Sequence, residues 1–342
     1  MANEDRTNQP GSTLNLGEAA HAVATTGPGV EAEHHTRTDA LAAVSPHGHL
    51  VQAGPFGMGV GGLVKTRTLA LCTTVLLGLV LLGLGLMYAS HERTENWEIP
   101  PASTTELSQT TALSPTQVVW EMLSQVNEGR ALNDLSQLTG EEPICAAGSC
   151  HTIAHRLTGS EGLDWAMDYI SETLISLGYS VESQDWTRSG YSDRNLIARK
   201  LGVYSPTEEV YFVAHVDGVK IGEEERFPAA DDNGGGSVDL LEVARVLSTF
   251  PFSRTVVLLF TTGEEQGTLG SRSYLEQLSP PELGSIKYVV NVDVIGYDAN
   301  GDQVMELAHG EHPPSQALAQ VMSATIDAYQ LNLDQRMIVG CP

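Results

Sequence analysis

The sequence predicts an α/β fold built on a doubly wound, mostly parallel sheet, and two observations carry this prediction. From about residue 151 onward, strand-like and helix-like patterns alternate along the chain, as expected for parallel strands joined by crossover helices. The runs RTVVLLFTT (254–262) and IKYVVNVDVI (286–295) are almost continuously apolar. Such runs are typical of strands that are covered on both faces of a sheet.

The remaining elements follow in chain order. Pro115 after Ser114 marks the start of a first helix. The segment LDWAMDYISETLISLG places apolar residues at helical spacing and ends in Gly178, a helix-stop residue. Strands are predicted at 179–186, 194–202 and 208–217. SVDLLEVARVLSTF is predicted to be a helix, with the core candidates Val238, Leu241, Val246 and Leu247.

A single transmembrane helix is predicted to precede this fold. Residues 69–89 contain no charge, and at 1.5 Å per residue they are long enough to cross a hydrocarbon core of about 30 Å. The run begins far from the N-terminus, so we expect a signal anchor rather than a cleaved signal peptide. Lys65 and Arg67 flank its N-terminal side. Positive-inside reasoning therefore puts the N-terminus in the cytoplasm and the later domain outside it.

The chain is thus predicted to contain four parts. They are a disordered cytoplasmic tail (1–66), the signal anchor (67–90), a Ser/Thr/Pro stalk (91–114) and a globular domain (115–342). The sequence has 18 basic and 43 acidic residues, a formal net charge of -25. We expect no nucleic-acid partner, because phosphate binding needs a basic face. Cys145 and Cys150 are close enough to form a local disulfide, and two free thiols remain the alternative.

Polar residues gather where the predicted parallel strands end. They are His215 and Asp217, Asp231 and Asp232, Glu264 and Glu265, and Asp293. Open α/β sheets bind ligands at this edge. Taken singly, an aspartate at a strand end is usually a turn former or a helix cap. Four of these carboxylates would gather beside His215 and need cations to compensate their repulsion: Asp232, Glu264, Glu265 and Asp293.

Histidine with carboxylates suits zinc or a comparable divalent ion. A pair of carboxylates for glycoside hydrolysis would leave His215 and the additional acids unexplained. The motifs HExxH and GxSxG are absent from the sequence, so metzincin-like and serine-hydrolase interpretations lose their main support.

The segments HVD, ADDNGGGS, EEQGTLGS and NVDVIGY resemble successive motifs of the M28 zinc peptidases, and HRLTGSEG resembles that family's N-terminal segment. The resemblance runs from about residue 115 to 342. It implies a phosphorylase/hydrolase-like α/β fold, two Zn²⁺ ions and peptide substrates. The expected function is that of a membrane-anchored zinc-dependent exopeptidase, an aminopeptidase that cleaves N-terminal peptide bonds, with residues 69–89 in the lipid bilayer.

Carried over residue by residue, the resemblance implies that His215, Asp232 and Asp293 bind one zinc. Asp232 would bridge to a second zinc held by Glu265. Glu264 would be the general base for a metal-activated water. The resemblance also implies that Asp217 orients His215 through its second ring nitrogen, and that Asp231 is structural.

The sequence departs from the family pattern in one respect. The family's fifth ligand is a histidine well downstream of the position of Asp293. His309 and His312 are the only later histidines, and we expect neither of them to be that ligand. The site around Glu265 therefore lacks its histidine, and the sequence favours a C-terminally truncated copy of a longer enzyme. Alternatives are a related carboxypeptidase or glutaminyl cyclase, and a non-catalytic binding ectodomain.

Overall fold

A mixed five-stranded sheet lies at the centre of the part of the chain that the computed structural model describes, which is residues 114–220, 222, 224–298, 302 and 304–340. The predicted tail and signal anchor, and the stalk up to residue 113, lie outside the described residues. Within the described residues, no helix is both long and apolar enough to cross a membrane.

Seven α-helices and nine strands form the described part of the chain. The helices are α1 (Pro115–Ser124), α2 (Glu128–Leu138), α3 (Glu161–Ser176), α4 (Gly236–Leu247), α5 (Leu269–Gln277), α6 (Pro280–Ser285) and α7 (Pro313–Ala328). The strands are β1 (Ile144–Ala146), β2 (Ser149–His151), β3 (Ser180–Arg188), β4 (Tyr191–Lys200), β5 (Ser205–His215), β6 (Arg254–Thr261), β7 (Ile286–Asn291), β8 (Val304–His309) and β9 (Asp334–Val339). A π-helical turn, Ala230–Gly235, leads directly into α4.

The order of strands in the central sheet is β3-β4-β6-β5-β7. The neighbouring strands β6, β5 and β7 are parallel, as predicted. The prediction of a mostly parallel sheet is wrong for the other half, because β4 pairs antiparallel with both β3 and β6. The antiparallel β3–β4 pair follows from the short turn at Ser189 and Gly190, which have φ of 54° and 86°. Two consecutive residues with positive φ make the tight turn that joins antiparallel strands.

Helices cover both faces of this sheet, so the doubly wound arrangement is present. On one face, the main core packs helices α2, α3 and α4 against alternate residues of the central strands. On the opposite face, a smaller core around Tyr211 and Leu259 packs against Tyr274 of α5. Every residue of α4 except Arg245 is buried. The predicted core residues of this helix are all inside: Val238, Leu241, Val246 and Leu247.

The strand β7 differs from its prediction. Its run of apolar residues predicted a strand covered on both faces, but Tyr288 and Val289 are 39% and 51% exposed. Among the described residues, β7 pairs only with β5 and is the edge of the sheet. An apolar run by itself does not distinguish a central strand from an edge strand, which explains the error.

Two smaller sheets flank the central one. The hairpin β1–β2 pairs Cys145 with Cys150, and these residues form a disulfide, which decides the alternative that the sequence left open. Its turn residues Ala147 and Gly148 both have positive φ, as a two-residue hairpin loop requires. The parallel pair β8–β9 is connected through helix α7.

Candidate metal centre

The candidate centre lies at the carboxyl ends of the three parallel strands. His215 is the last residue of β5 and pairs in register with Thr261, the last residue of β6. Glu264 follows β6 by three residues, and Asp293 follows β7 by two. Because parallel strands end at the same edge of a sheet, these three chain segments meet there, as the sequence predicted.

His215, Asp232 and Asp293 form the tightest group at this edge. The Nε2 atom of His215 lies 3.1 Å from Oδ1 of Asp232 and 3.5 Å from Oδ1 of Asp293. One potential ligand atom from each residue lies within 4.8 Å of the others, and in the described part of the chain this is the only such group of three or more histidine, cysteine or acidic residues. The imidazole is buried, whereas the two carboxylates are 52% and 37% exposed. Substrate and solvent can therefore reach the centre from the carboxylate side.

Two buried side chains hold these three residues in place. Ser237, in the first turn of α4, donates its hydroxyl hydrogen to the main-chain oxygen of His215 at 2.9 Å. Asn233, next to Asp232, donates from Nδ2 to the main-chain oxygen of Val292 at 2.7 Å and accepts from the amide of Gly236 at 2.9 Å. The segment that carries Asp232 is thus tied to the residue before Asp293.

The orientation of the His215 ring fixes which nitrogen faces the carboxylates. Nδ1 lies 3.0 Å from the main-chain oxygen of Asp217. A carbonyl can only accept, so Nδ1 carries a proton and Nε2 is the nitrogen available to a metal. Burial lowers the pKa of His215, but the nearby carboxylates of Asp217, Asp232 and Asp293 outweigh it and raise the pKa to about 12. Without a metal, a proton on Nε2 therefore supplies the positive charge that the two carboxylates need.

The turn that carries Glu264 and Glu265 is anchored by Asp217, whose side chain is fully buried. Oδ1 of Asp217 accepts from the amide of Glu264 at 3.2 Å, and Oδ2 accepts from the amide of Glu265 at 3.3 Å. The carboxylate of Asp217 lies 3.7 Å from Nδ1 of His215, farther than its own main-chain oxygen. Asp217 therefore contacts His215 mainly through its backbone, while its carboxylate holds the glutamate turn.

Gly263 allows the chain to turn sharply after β6. It has a φ of 70°, and a Cβ atom at this position would lie 2.5 Å from Cη2 of Trp186. The indole of Trp186 is itself fixed, because Nε1 donates to Oγ1 of Thr262 at 2.9 Å. Thr262 in turn donates to the main-chain oxygen of Arg194 at 2.9 Å. Packing and hydrogen bonds therefore hold the start of the turn between β6 and the β3–β4 hairpin.

The two glutamates lie in an acidic, partly buried environment. Burial raises the pKa of Glu264; the charge of His215 opposes this shift, and the carboxylate of Asp293 adds to it. Burial and the charge of Asp232 raise the pKa of Glu265 to about 7. Oε1 of Glu265 is a buried oxygen without a hydrogen-bond partner. A cation would satisfy that oxygen and relieve the repulsion between the carboxylates, so the residues present fit a metal ion.

Several residues at the centre were not found by sequence reasoning. Thr158 donates to Oδ2 of Asp217 at 3.2 Å and also contacts the amide oxygen of Gln266. Asp231, predicted to be structural, accepts from the amide of Gly296 at 2.6 Å and so supports the loop that follows Asp293. Thr158 lies in HRLTGSEG and Gln266 in EEQGTLGS. Both motifs are recognisable in the sequence, but the contacts that Thr158 and Gln266 make at the centre could not be predicted from it.

The downstream histidines lie apart from this group. His309 ends β8, and its Nδ1 lies 2.8 Å from the main-chain oxygen of Gly310. His312 is the exposed residue before α7. Neither belongs to the group formed by His215, Asp232 and Asp293.

Comparison with known proteins agrees with this geometry. Residues 195–339 match Peptidase family M28. The matched segment contains every residue singled out above as a ligand or a base. Leucine aminopeptidase 2 of Trichophyton equinum is 36% identical over 93 residues, which are 27% of this chain and 18% of that protein. A probable leucine aminopeptidase 2 of Aspergillus oryzae is 31% identical over 135 residues, which are 37% of this chain and 25% of that protein.

The chain also shares its fold with a solved structure. The LapA aminopeptidase of Legionella pneumophila superposes with a TM-score of 0.52 and 19% identity, covering 71% of this chain and 62% of LapA. The alignments with the two curated relatives span no more than a quarter of those relatives' lengths. Residues 195–339 are thus similar to Peptidase family M28, parts of the chain are similar to leucine aminopeptidases, and the structural comparison shows a common α/β fold.

Proposed function

We propose that this chain is a zinc-dependent exopeptidase that acts as an aminopeptidase and hydrolyses N-terminal peptide bonds. The observation that carries the proposal is the approach of Asp232 and Asp293 to Nε2 of His215, at 3.1 and 3.5 Å, beside a turn that presents Glu264. The names of the relatives add the expectation that leucyl substrates are accepted.

In this proposal His215, Asp232 and Asp293 would hold one zinc ion, and Asp232 and Glu265 would hold a second. Zinc at such a centre supplies Lewis acidity, which polarises the scissile carbonyl and makes water more acidic. Glu264 accepts the proton of the attacking water and later donates it to the leaving amine. Burial raises the pKa of Glu264, which suits a group that must both take up and release a proton.

The two adjacent glutamates have separate tasks because the turn separates their side chains. The amides of Glu264 and Glu265 bind different oxygens of Asp217. This anchoring fixes the backbone of the turn, so that each carboxylate is held in its own direction. Oε1 of Glu265 is buried and has no hydrogen-bond partner, which supports a ligand role for Glu265.

The experiment uses the purified full-length chain. Bound zinc is counted by elemental analysis, removed with a chelator and restored during assays with leucyl-p-nitroanilide and its N-acetylated form. We expect hydrolysis of the free-amino substrate alone, lost on chelation and restored by zinc. Cleavage of the acetylated substrate to an equal extent would contradict aminopeptidase action. A zinc-loaded chain that hydrolyses no aminoacyl or peptide substrate would refute the enzymatic proposal.

The variant Glu264→Gln tests the role of the base. We expect it to bind zinc as the wild type does and to lose activity by about 10²–10⁴-fold, the usual contribution of a positioned acid or base. Glu276→Gln is the matched control, because Glu276 is an exposed glutamate that pairs with Arg188. If Glu264→Gln keeps wild-type activity, the assignment of the base is wrong.

We also propose that residues 69–89 anchor the protein in a membrane, with the N-terminus in the cytoplasm and the catalytic domain on the other side. The support is the sequence: 21 residues without a charge, preceded by Lys65 and Arg67. The test is extraction of membranes with carbonate, followed by protease treatment of intact cells that express the chain. Release of the chain by carbonate would contradict the anchor, and protection of the catalytic domain would contradict its orientation.

A further inference from the structure

Arg156 is a completely buried arginine whose guanidinium binds only main-chain oxygens. Nε donates to Val216 at 2.8 Å, and Nη1 donates to Leu138 at 2.6 Å and Pro228 at 2.9 Å. Nη2 donates to Ala229 at 2.9 Å. Four of the five N–H groups of one side chain are thus engaged, on three separate segments of the chain.

Two of these segments carry the residues of the candidate metal centre. Val216 lies between His215 and Asp217, and Pro228 and Ala229 lead into the turn that contains Asp232. The main-chain oxygen of Arg156 also accepts from the amide of Gly218 at 2.9 Å. The short segment that begins at His215 is therefore bound to Arg156 on both sides of Asp217.

The conformation of Ala229 shows what the second contact does. Its φ of 45° is unusual for a residue with a side chain and costs about 1 kcal/mol or more, so such a conformation needs support from its surroundings. The main-chain oxygen of Ala229 accepts both from Arg156 and from the amide of Gly234, at 2.9 and 3.0 Å. These two bonds hold the chain in the bend that aims the following turn at His215.

The positive charge of Arg156 is compensated by its surroundings. Burial lowers its pKa to about 10, and the charge of Asp217 opposes that shift, so the guanidinium stays positive at neutral pH. A buried charge is costly unless it is paired or fully hydrogen-bonded. Arg156 is compensated by four carbonyl dipoles and by the neighbouring buried carboxylate of Asp217.

We propose that Arg156 is a positioning residue for the metal centre: it joins the segment after His215 to the segment before Asp232 and thereby sets the approach of these two ligands. This inference rests on the proposed function, because it takes His215 and Asp232 to be metal ligands. The guanidinium of Arg156 makes no hydrogen bond to the side chain of either residue; its four acceptors are main-chain oxygens.

The test compares Arg156→Met and Arg156→Lys with Arg245→Met in the full-length chain. Arg245 is the matched control, because it is another largely buried arginine whose contacts, to Asp134 and Glu242, lie within the helical layer. Zinc affinity is measured by competition with a chelating dye. Hydrogen exchange is measured for peptides that cover residues 216–218 and 228–236.

We expect Arg156→Met to weaken zinc binding by about 10–100-fold, the loss typical of residues that orient metal ligands. We expect faster exchange in both segments and unchanged exchange in β6. Arg156→Lys should lie between wild type and Arg156→Met, because an ammonium group has three donors rather than five. Arg245→Met should lower thermal stability without weakening zinc binding. Equal zinc affinities in Arg156→Met and Arg245→Met would overturn the proposal. If Arg156→Met does not fold, the zinc affinity of Arg156→Lys is compared with that of Arg245→Met instead.

The two proposals fail in different ways. If the wild-type chain binds no zinc, the proposed function is refuted, and hydrogen exchange then decides the role of Arg156. Faster exchange confined to residues 216–218 and 228–236 in the Arg156 variants supports positioning of these segments. Unchanged exchange, or an increase spread evenly over the domain, overturns it.

Discussion

Replacing Gly263 by alanine tests whether the glutamate turn depends on the close approach of β6 to Trp186. The added Cβ would lie 2.5 and 2.6 Å from two carbon atoms of an indole that is only 4% exposed. The hydrogen bond from Trp186 to Thr262 keeps the indole from moving away. The clash therefore cannot be relieved by rotating the ring without breaking this bond.

Two contributions add to the expected destabilisation. The φ of 70° costs a residue with a side chain about 1–2 kcal/mol, and overpacking a well-filled site costs typically about 1–3 kcal/mol. We expect Gly263→Ala to lower the free energy of unfolding by about 2–5 kcal/mol, which corresponds to a fall in Tm of about 5–15 °C for a domain of this size. Thermal and urea unfolding of the metal-free chain measure this loss.

Gly267→Ala is the control, because Gly267 has a φ of 100° but no atom lies within 4 Å of the position that its Cβ would take. It should show the backbone contribution alone. Trp186→Phe removes the atoms that clash, so the double variant Gly263→Ala/Trp186→Phe should be more stable than the two single effects predict. Equal destabilisation by Gly263→Ala and Gly267→Ala, together with additive effects in the double variant, would refute the reasoning.

Three further predictions concern the ligands, the pH dependence and the disulfide. Asp293→Asn should weaken zinc binding by more than the ~10–100-fold typical of an orienting residue, while Asp168→Asn, which removes a pair with Arg194, changes it little; equal losses in a chelator competition would contradict the ligand assignment. The carboxylates raise the pKa of His215 to about 12, so zinc must displace a proton and its affinity should fall about tenfold for each unit by which the pH is lowered from 8 to 6; a pH-independent affinity would contradict this. Replacing both Cys145 and Cys150 by serine should lower the free energy of unfolding by about 2 kcal/mol, as expected for a short closed loop, and leave zinc affinity unchanged. Urea unfolding measures the loss of stability. A weakened zinc affinity would contradict the second expectation and show that the hairpin supports the centre.

The ends of the parallel strands were predictable because buried strand residues are apolar, whereas the residues of the candidate centre are polar. The strands that precede His215 and Glu264 contain the apolar runs VYFVA and VVLLF, and the polar site residues begin at the strand end or shortly after it. The helix α4 was equally clear, since its apolar residues keep the helical period over its whole length. These elements fix the edge of the sheet at which the candidate centre lies.

The direction of β4 and the exposure of β7 could not be predicted in the same way. Both depend on which strands become neighbours, and a strand's apolar content does not encode its partner. The turn at Ser189 and Gly190 is a local cause of the antiparallel hairpin, but serine before glycine occurs in many kinds of loop. The role of Arg156 could not be predicted either, because its four acceptors are main-chain oxygens, which any residue provides.

The contacts of Asp217 connect the two halves of the centre. Its backbone oxygen fixes Nδ1 of His215, and its carboxylate binds the amides of Glu264 and Glu265. Asp217→Asn should therefore disturb the base and the ligand together, because an amide group replaces one acceptor oxygen by a donor that faces an N–H. Asp293→Asn, by contrast, should weaken the metal site and leave the turn intact. Hydrogen exchange at residues 263–267 separates these outcomes: faster exchange in the Asp217 variant alone supports this division, and equal exchange in both variants contradicts it.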